Sequence, residues 1–345
     1  MDWLKILENT ASSLVGIDAA YFALAALGLN IQFGYTGLLN FGQAAFMACG
    51  AYGIGMTSQY FNVSMWYGIP IALAFVVILS LLVGIPTLRL RADYLAIVTI
   101  ATAEIVRLFV RSVRFKRFFG GSDGINSFST QFRELSPFNP SKQYGIRPFQ
   151  YSGYTIWTLI VAWVLVCVFG IVVFYLMRSP WGRVLKAIRE DEDAVRSLGK
   201  NVYSYKMQAL VMGGVIGMFS GMVFALDRGS VQPDNYSRDV TFYVLTALVL
   251  GGVAKVSGSI VGPMIFWGLY VFSDNTLREL TKDGGISIFG VGILQKSQVG
   301  PVNYMLIGIG LMLLMTFRPQ GILETAKRWP LMVADRVYTE TAQRA

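Results

Sequence analysis

The sequence of this chain predicts an all-α, polytopic integral membrane protein. Hydrophobic residues make up 54% of its 345 residues and charged residues only 14%, whereas a soluble domain carries about a quarter charged residues. Several apolar segments reach the length of about 20 residues that a helix needs to cross the hydrocarbon of a bilayer. Since no long polar linker divides the chain, we expect one transmembrane domain over residues 1–345.

Nine apolar segments are predicted to form membrane helices, within an expected total of roughly eight to ten. They lie at residues 16–33, 38–59, 66–87, 94–110, 153–177, 206–226, 240–256, 258–273 and 302–317. The N-terminus lacks the basic region and the small-residue cleavage site of a signal peptide, so the first segment is expected to stay in the membrane. The sequence leaves open on which side of the membrane the N-terminus lies.

Two regions are crowded with glycine, one in each half of the chain. The run from Gly34 to Gly55 also holds Asn40 and Gln43, and the run at 251–263 also holds a lysine and a proline. Such sequences favour kinked or discontinuous helices, which are tolerated at membrane depth only when they are buried in protein or line a cavity. Paired interruptions indicate a transport path, and close helix packing through small residues is the alternative. The residues predicted to line the path are Gly34, Gly37, Asn40, Gln43, Gly251, Gly252 and Ser257.

The basic residues predict the topology, because short loops rich in lysine and arginine stay in the cytoplasm. The segment 178–206 and the C-terminal tail 318–345 are both basic, and four crossings between them satisfy this rule. The helix at 153–177 then places the polar loop 111–152 outside, although the four basic residues at 111–117 argue against that side. This loop is long enough to fold over the mouth of a path, and a disordered surface loop is the alternative.

The basic segment 178–206 has the features of a structured cytoplasmic element. Ser179 followed by Pro180 is a helix start, and Gly199 is a helix stop. Between them the apolar residues fall near one face at helical spacing, namely Val184, Leu185, Ile188, Val195 and Leu198. Four consecutive acids at 190–193 are expected to break the segment into two short helices. An amphipathic helix on the lipid surface is one interpretation, but the acids favour docking to a protein, since the cytoplasmic leaflet is anionic.

The composition excludes several kinds of chemistry. The chain has no histidine, which removes histidine acid–base catalysis and most zinc sites. Cys49 and Cys167 lie in apolar runs and are expected to be packing residues rather than a disulfide. The phosphate-binding loop of ATPases does not occur. We therefore expect no catalytic residue, no metal site and no cofactor bound by this chain, and the net charge of +9 is expected to orient it in the membrane rather than bind nucleic acid.

Few ionisable residues fall within the predicted helices, and the clearest are Asp18, Glu104 and Arg107. An ion-coupled carrier normally needs such residues, or unwound helices, near the middle of the membrane. Glu104 and Arg107 are three residues apart and are expected to pair with each other on one helix face. They therefore give little support to an ion-coupling site.

Five stretches, in order along the chain, resemble the motifs of branched-chain amino acid ABC transporter permeases. They are residues 29–52, 88–99 followed by 104–107, 120–125, 179–190 with 197–199, and 318–322. The resemblance covers most of residues 18–323, and the length of the loop 111–152 makes the chain more similar to the M-type subunit than to the H-type subunit. One departure is Ala92, which stands where the family often has a glycine before the aspartate.

This resemblance implies a set of partners in the bacterial plasma (inner) membrane. Two related permeases would pair and enclose the path, two ATP-binding-cassette ATPases would bind below them and use ATP, and an extracytoplasmic binding protein would deliver the substrate. The segment 178–206 would then be the coupling loop. The residues expected to couple to the ATPases are Arg183, Ile188, Arg189, Glu190, Asp191, Val195, Leu198 and Gly199.

The expected function is import of branched-chain or other hydrophobic amino acids, and three alternatives stay open at this point. Permeases for urea and short-chain amides share the same motifs, so the substrate class depends on the resemblance alone. An ion-coupled secondary amino acid carrier would need no ATPase. A membrane scaffold would move nothing and would have no need of paired glycine-rich interruptions.

Overall fold

The protein is a bundle of long apolar helices. The computed structural model describes residues 3–60, 63–89, 92–140, 142–145, 148–282, 286–288, 291–294, 298–317 and 321–322. Within those residues, five helical segments are long and apolar enough to cross a membrane, namely Trp3–Tyr35, Met65–Thr87, Gly153–Arg178, Val202–Arg228 and Val256–Leu280. The predicted all-α membrane fold is confirmed.

The helices have the following bounds. In the described part of the chain the α-helices are α1 (Trp3–Leu14), α2 (Ile17–Leu29), α3 (Gln43–Tyr60), α4 (Gly68–Thr87), α5 (Ala92–Arg111), α6 (Lys116–Phe119), α7 (Thr130–Glu134), α8 (Gly153–Arg178), α9 (Pro180–Glu190), α10 (Glu192–Ser197), α11 (Val202–Arg228), α12 (Arg238–Gly251), α13 (Val256–Leu280) and α14 (Val299–Phe317). A π-helical turn, Asn30–Tyr35, continues α2. Short 3₁₀ turns occupy Met65–Tyr67, Val113–Phe115, Gly121–Asp123 and Pro233–Tyr236.

Each of the nine predicted segments corresponds to an observed helix, and the differences lie at the interruptions. The segment predicted at 38–59 becomes helical only at Gln43. The segment predicted at 240–256 ends at Gly251, because Gly252 adopts a φ of 113° that a right-handed helix does not allow. Pro263 lies inside α13 and does not break it. The amphipathic helix α1 was not predicted, since it is too short and too polar to read as a membrane span.

Helix α11 lies at the centre of the bundle, between α2 and α3. Glycines recur along it at intervals of four residues, at 213, 217 and 221, which places them on one face. A Cβ on Gly213 would meet the backbone carbonyl of Gly28, and a Cβ on Gly221 would meet the carbonyl of Met47. The helices therefore touch backbone to backbone, the kind of approach through small residues that holds membrane helices together.

Short antiparallel strands organise the loops. Strand β1 (Ile125–Asn126) pairs with β4 (Ser230–Val231), β2 (Gln143–Tyr144) pairs with β3 (Tyr151–Ser152), and β5 (Ile286–Ile288) pairs with β6 (Val291–Leu294). Because β4 directly follows α11, the loop 111–152 lies at the end of α11 opposite to α9 and α10.

The loop 111–152 is folded where the structure describes it. It buries Ile125, Phe128 and Phe132, which rules out the alternative of a disordered loop for that part. The assignment of this loop to the outside, and of the segment 178–206 to the cytoplasm, stays a prediction. Apart from residues 321 and 322, the predicted tail 318–345 lies outside the described residues.

The glycine contact between α11 and α3 generates a test of the packing. We expect Gly221→Ala to lower the free energy of unfolding by about 1–3 kcal/mol, since its methyl group would press on the backbone of α3. The measurement is thermal unfolding of the purified protein in detergent. The matched control is Gly308→Ala in α14, where an added Cβ has nothing within 4 Å, so only the gain in helix propensity remains. Equal shifts for the two variants would contradict the packing described here.

Candidate functional site

The two glycine-rich interruptions meet in space. The π-helical turn Asn30–Tyr35 and the loop 37–42 separate α2 from α3, and residues 252–255 separate α12 from α13. The side chain of Asn30 joins them: its Nδ2 donates to the carbonyl of Lys255 (3.0 Å), and its Oδ1 accepts from the backbone N–H of Ala254 (2.9 Å). One fully buried amide therefore connects residues that are more than 220 positions apart.

The backbone of the second interruption is strained. Ala254 has a φ of 61°, a left-handed conformation that costs a residue with a side chain about 1–2 kcal/mol. The hydrogen bond from its N–H to Asn30 offsets part of this cost, since an unpaired buried N–H would add its own penalty. Asn30 was not among the residues predicted for the site, because a single asparagine at a helix end gives no distinctive signal.

The other buried amides hold the first interruption to α11. Gln32 donates through Nε2 to the carbonyl of Leu210 (2.9 Å) and accepts through Oε1 from Asn40 (2.6 Å). Gln43 donates to the carbonyls of Gly213 (3.3 Å) and Ala25 (3.4 Å). These amides tie the loop 37–42 and the start of α3 to the centre of the bundle.

Side chains also satisfy backbone N–H groups at the start of α3 and at the end of the loop 37–42, which have no partner inside a helix. The N–H of Ala44 donates to Thr241 of α12 (2.9 Å), and the N–H of Phe41 donates to Thr99 of α5 (3.0 Å). The N–H of Gly42 donates to the Oδ1 of Asn40 (2.8 Å). Sequence reasoning missed both threonines, since each acts on a residue far away in the chain.

The seven residues predicted to line a path occupy different environments. Asn40 and Gln43 are buried within this chain and paired, Gly34 and Gly251 are buried, and Gly252 is buried beside residues 321–322. Gly37 is partly exposed and Ser257 is exposed. The hydrogen bonds of Asn40 and Gln43 within this chain support the alternative that these residues pack helices together. A role for the seven residues in a transport path stays a prediction.

Two cavities border the first interruption. The cavity beside Asn40 measures about 10 Å³, too small for more than a single water. A larger cavity of about 270 Å³ borders Gly37. Its walls come from the loop 37–42, α4, α5, α9, α10 and α11, and its lining residues are Thr36, Gly37, Leu38, Thr87, Leu88, Leu95, Ile188, Arg189, Glu192 and Lys206.

The segment 178–206 folds into two short helices, as the sequence predicts. Ser179 caps α9 by accepting from the N–H of Gly182 (3.4 Å). Asp191 ends α9 and caps α10, with its Oδ1 accepting from the N–H groups of Asp193 and Ala194 (both 3.0 Å). The predicted break therefore results from a carboxylate cap rather than from repulsion among the acids.

The apolar face of α9 and α10 points inward, which corrects its expected use as a docking surface. Ile188 and Val195 are buried against the rest of the chain, so they leave a partner nothing to contact. Leu198, by contrast, is 79% exposed. The side chains of Arg183, Glu190 and Asp191, and the backbone of Gly199, lie on the exposed surface, and so does part of Arg189, whose guanidinium turns inward to the carbonyl of Gly34.

Charged residues anchor the two short helices to the bundle. Lys206 of α11 pairs with Glu192 (2.5 Å), and Arg196 pairs with the other oxygen of the same carboxylate (2.6 Å). On α9, Arg189 donates to the carbonyl of Gly34, and the ammonium of Lys186 stands 5.6 Å from the centre of the Tyr35 ring. Both α9 residues reach the π-helical turn, so the segment is attached to the interrupted helix.

A charged cluster lies at the opposite end of the bundle. Arg107 pairs with Glu104 (2.5 Å), which confirms the predicted pairing, and also with Asp234 (2.5 Å), to which Arg111 adds a contact of 3.2 Å. Nearby, Lys116 donates to Asp123 (2.7 Å), and this hydrogen bond holds the pKa of the Asp123 carboxyl below its usual value. The cluster ties α5 to the turn after α11.

Comparisons with known proteins agree on one family. Residues 13–317 match the family described as branched-chain amino acid transport system / permease component. The high-affinity branched-chain amino acid transport system permease protein LivM of Escherichia coli is 32% identical over 331 residues, which is 93% of this chain and 72% of the relative. The probable LivM of Methanocaldococcus jannaschii is 25% identical, with 90% of this chain and 92% of the relative covered. No solved structure gives a significant match.

A relative with another substrate matches a smaller part of the chain. The fructose import permease protein FrcC of Rhizobium meliloti is 27% identical over 153 residues, which is 44% of this chain and 37% of the relative. The similarity therefore extends beyond amino acid permeases, but over a shorter region.

The buried amide of Gln43 generates a test of whether it packs or lines a path. We expect Gln43→Leu to lower the free energy of unfolding by about 1–3 kcal/mol, because two buried side-chain hydrogen bonds between helices are lost. Thermal unfolding in detergent measures the loss of stability. The control is Gln59→Leu, at an exposed position of the same helix. A Gln43→Leu protein that unfolds normally but no longer supports uptake would assign this amide to the path instead.

Proposed function

This chain belongs to the branched-chain amino acid transport permease family, and from that premise we propose that it is the membrane-spanning subunit of an ATP-binding-cassette importer for branched-chain or other hydrophobic amino acids. Its relatives are named as transport permeases rather than enzymes, and the chain is a multi-pass membrane protein. Family membership alone does not give the direction of transport, the substrate or the partners, and these three points are what we propose.

The contact between the two interrupted segments is the observation that carries the proposal. Interrupted helices at corresponding places in two halves of a transporter typically surround the substrate path. Here the interruptions touch through Asn30, which bonds both Ala254 and Lys255. A scaffold would gain no stability from leaving α2 and α12 broken at the same place, because each break leaves backbone groups that the bundle has to satisfy.

The proposed partners follow from the family, and the two ends of the bundle suggest where each would bind. A second, related permease would complete the path, and an extracytoplasmic binding protein would deliver the amino acid at the end that carries the loop 111–152. Two ATPases would bind at the end that carries α9 and α10, where Arg183, Glu190 and Leu198 are exposed. ATP would be bound and used by those ATPases, and this chain would bind no cofactor.

The test of the proposed function is uptake by the reconstituted complex. With both permeases, the ATPases and the binding protein in proteoliposomes, we expect ATP-driven leucine uptake that vanadate abolishes and an ionophore leaves intact. Excess urea or acetamide should not reduce this leucine uptake. The purified chain alone, shown to be free of ATPase subunits, should hydrolyse no ATP. Uptake that survives vanadate and stops with the ionophore would instead indicate an ion-coupled carrier.

The exposed surface of α9 and α10 generates a second prediction. We expect Glu190→Lys combined with Leu198→Asp to weaken ATPase binding by about tenfold or more, since the pair replaces a charge and an apolar contact at an interface. Co-purification of the ATPases with the permease measures it. The matched control is the same pair of changes at the opposite end of the bundle, Glu134→Lys with Leu135→Asp, which should leave ATPase binding unchanged. Co-purification equal to that of the unsubstituted chain would show that this surface does not bind the ATPases.

A further inference from the structure

We propose that Arg189 and Asn30 form a relay that carries movement of the coupling helices α9 and α10 into both interrupted helices. The relay rests on the proposed function, because it presumes that an ATPase moves α9 and α10. Arg189 was expected to face the ATPases, and Asn30 had no expected role. In the structure the Arg189 side chain reaches the π-helical turn Asn30–Tyr35, and the Asn30 side chain extends from that turn to residues 254 and 255.

The first step of the relay runs from α9 to the π-helical turn. The Nη1 of Arg189 donates to the carbonyl oxygen of Gly34. The side chain reaches this carbonyl by lying across Gly37, where an added Cβ would stand 3.3 Å from the Cγ of Arg189. Gly37 also has a φ of 74°, which other residues rarely adopt. The chain therefore keeps this position free of a side chain, and Arg189 fills the space.

The second step lies within the π-helical turn. A Cβ on Gly34 would stand 2.8 Å from the backbone nitrogen of Ala254 and would overlap the side chain of Asn30. Gly34 therefore touches Arg189 through its carbonyl and the second interruption through its Cα. A π-helical turn is a strained insertion that often marks a functional position in a helix, and here it places Asn30 and Gly34 on the same side.

The third step runs from Asn30 into the second interruption. The two hydrogen bonds of Asn30 hold Ala254, with its left-handed φ of 61°, and Lys255, the residue before α13. Movement of the π-helical turn therefore reaches the junction of α12 and α13 directly. Three side-chain hydrogen bonds connect α9, the first interruption and the second interruption.

The relay has room to move. The cavity of about 270 Å³ is lined by Arg189 and Gly37 and also by Thr87 of α4, by Leu88 directly after it and by Leu95 of α5. Most protein interiors are too tightly packed for one element to slide past another without strain. Next to this cavity α9 can move toward α4 and α5 without compressing packed side chains, and the hydrogen bond of Arg189 would carry that movement to Gly34.

The test is the coupling ratio, the number of leucine molecules transported per ATP hydrolysed by the reconstituted complex. We expect Arg189→Met to lower this ratio by about tenfold while the ATPases still bind, since a hydrogen bond from a charged donor is typically worth about ten- to a hundredfold. Arg189→Lys keeps a donor and should recover part of the ratio. Asn30→Ala should lower it in the same way. Lys5→Met, which removes an exposed charge from α1, should leave it unchanged.

A double-variant cycle separates a relay from two independent anchors. If Arg189 and Asn30 act in series, Arg189→Met with Asn30→Ala should lower the ratio no further than either change alone. The relay would be overturned if the double variant lost the product of the two single losses in coupling ratio. It would also be overturned if Arg189→Met kept a normal coupling ratio at matched membrane levels. Failure of the proposed function is distinguishable, because the unsubstituted complex would then show no ATP-driven leucine uptake at all.

Discussion

The fold depends on the constraint that every backbone N–H and C=O group at membrane depth has to find a partner within the protein. An unbroken helix meets it without help, and this chain breaks two of its helices. Groups freed at the breaks are bonded by Asn30, Asn40, Thr99 and Thr241, and Gln32 and Gln43 tie the first break to carbonyls of α11. These side chains are buried, and all of them except Asn40 reach across to a segment far away in the chain. The polar residues of the bundle are thus concentrated where the helices are interrupted.

Close packing around α11 makes this arrangement possible. The glycines at 213 and 221 let α2 and α3 approach the backbone of α11 directly. Gln32 and Gln43 can therefore reach the α11 carbonyls of Leu210 and Gly213, which lie one turn apart. Packing and hydrogen bonding depend on each other here, because side chains in place of Gly213 and Gly217 would push Gln32 and Gln43 away from the carbonyls of α11.

The same interruptions lie next to the segment that is proposed to bind the ATPases. Helices α9 and α10 turn their apolar residues toward the bundle and keep Leu198 and most charged groups outside. Their inner face makes contacts with α11 through Glu192 and with the π-helical turn through Arg189 and Lys186. A partner that pushes on the outer face would therefore act on elements that are already attached to both breaks.

The sequence by itself determined the features that depend on neighbouring residues. Hydropathy over about 20 residues places each membrane helix, the Ser179-Pro180 pair starts α9, and the i,i+3 spacing brings Glu104 to Arg107. These are local effects, so they can be read from a short stretch of chain. Even the break within 178–206 was predictable, since the acids that mark it include the cap, Asp191.

Only the tertiary structure decided which polar residue has which partner and which face of a helix is exposed. Asn30 and Asn40 look alike in sequence, but Asn30 bonds the second interruption and Asn40 bonds its own loop. Val195 and Leu198 both belong to one apolar stripe, yet Val195 is buried and Leu198 is exposed. The physical reason is that their partners come from segments far away in the chain, whose positions are set by the packing of α2, α3 and α11.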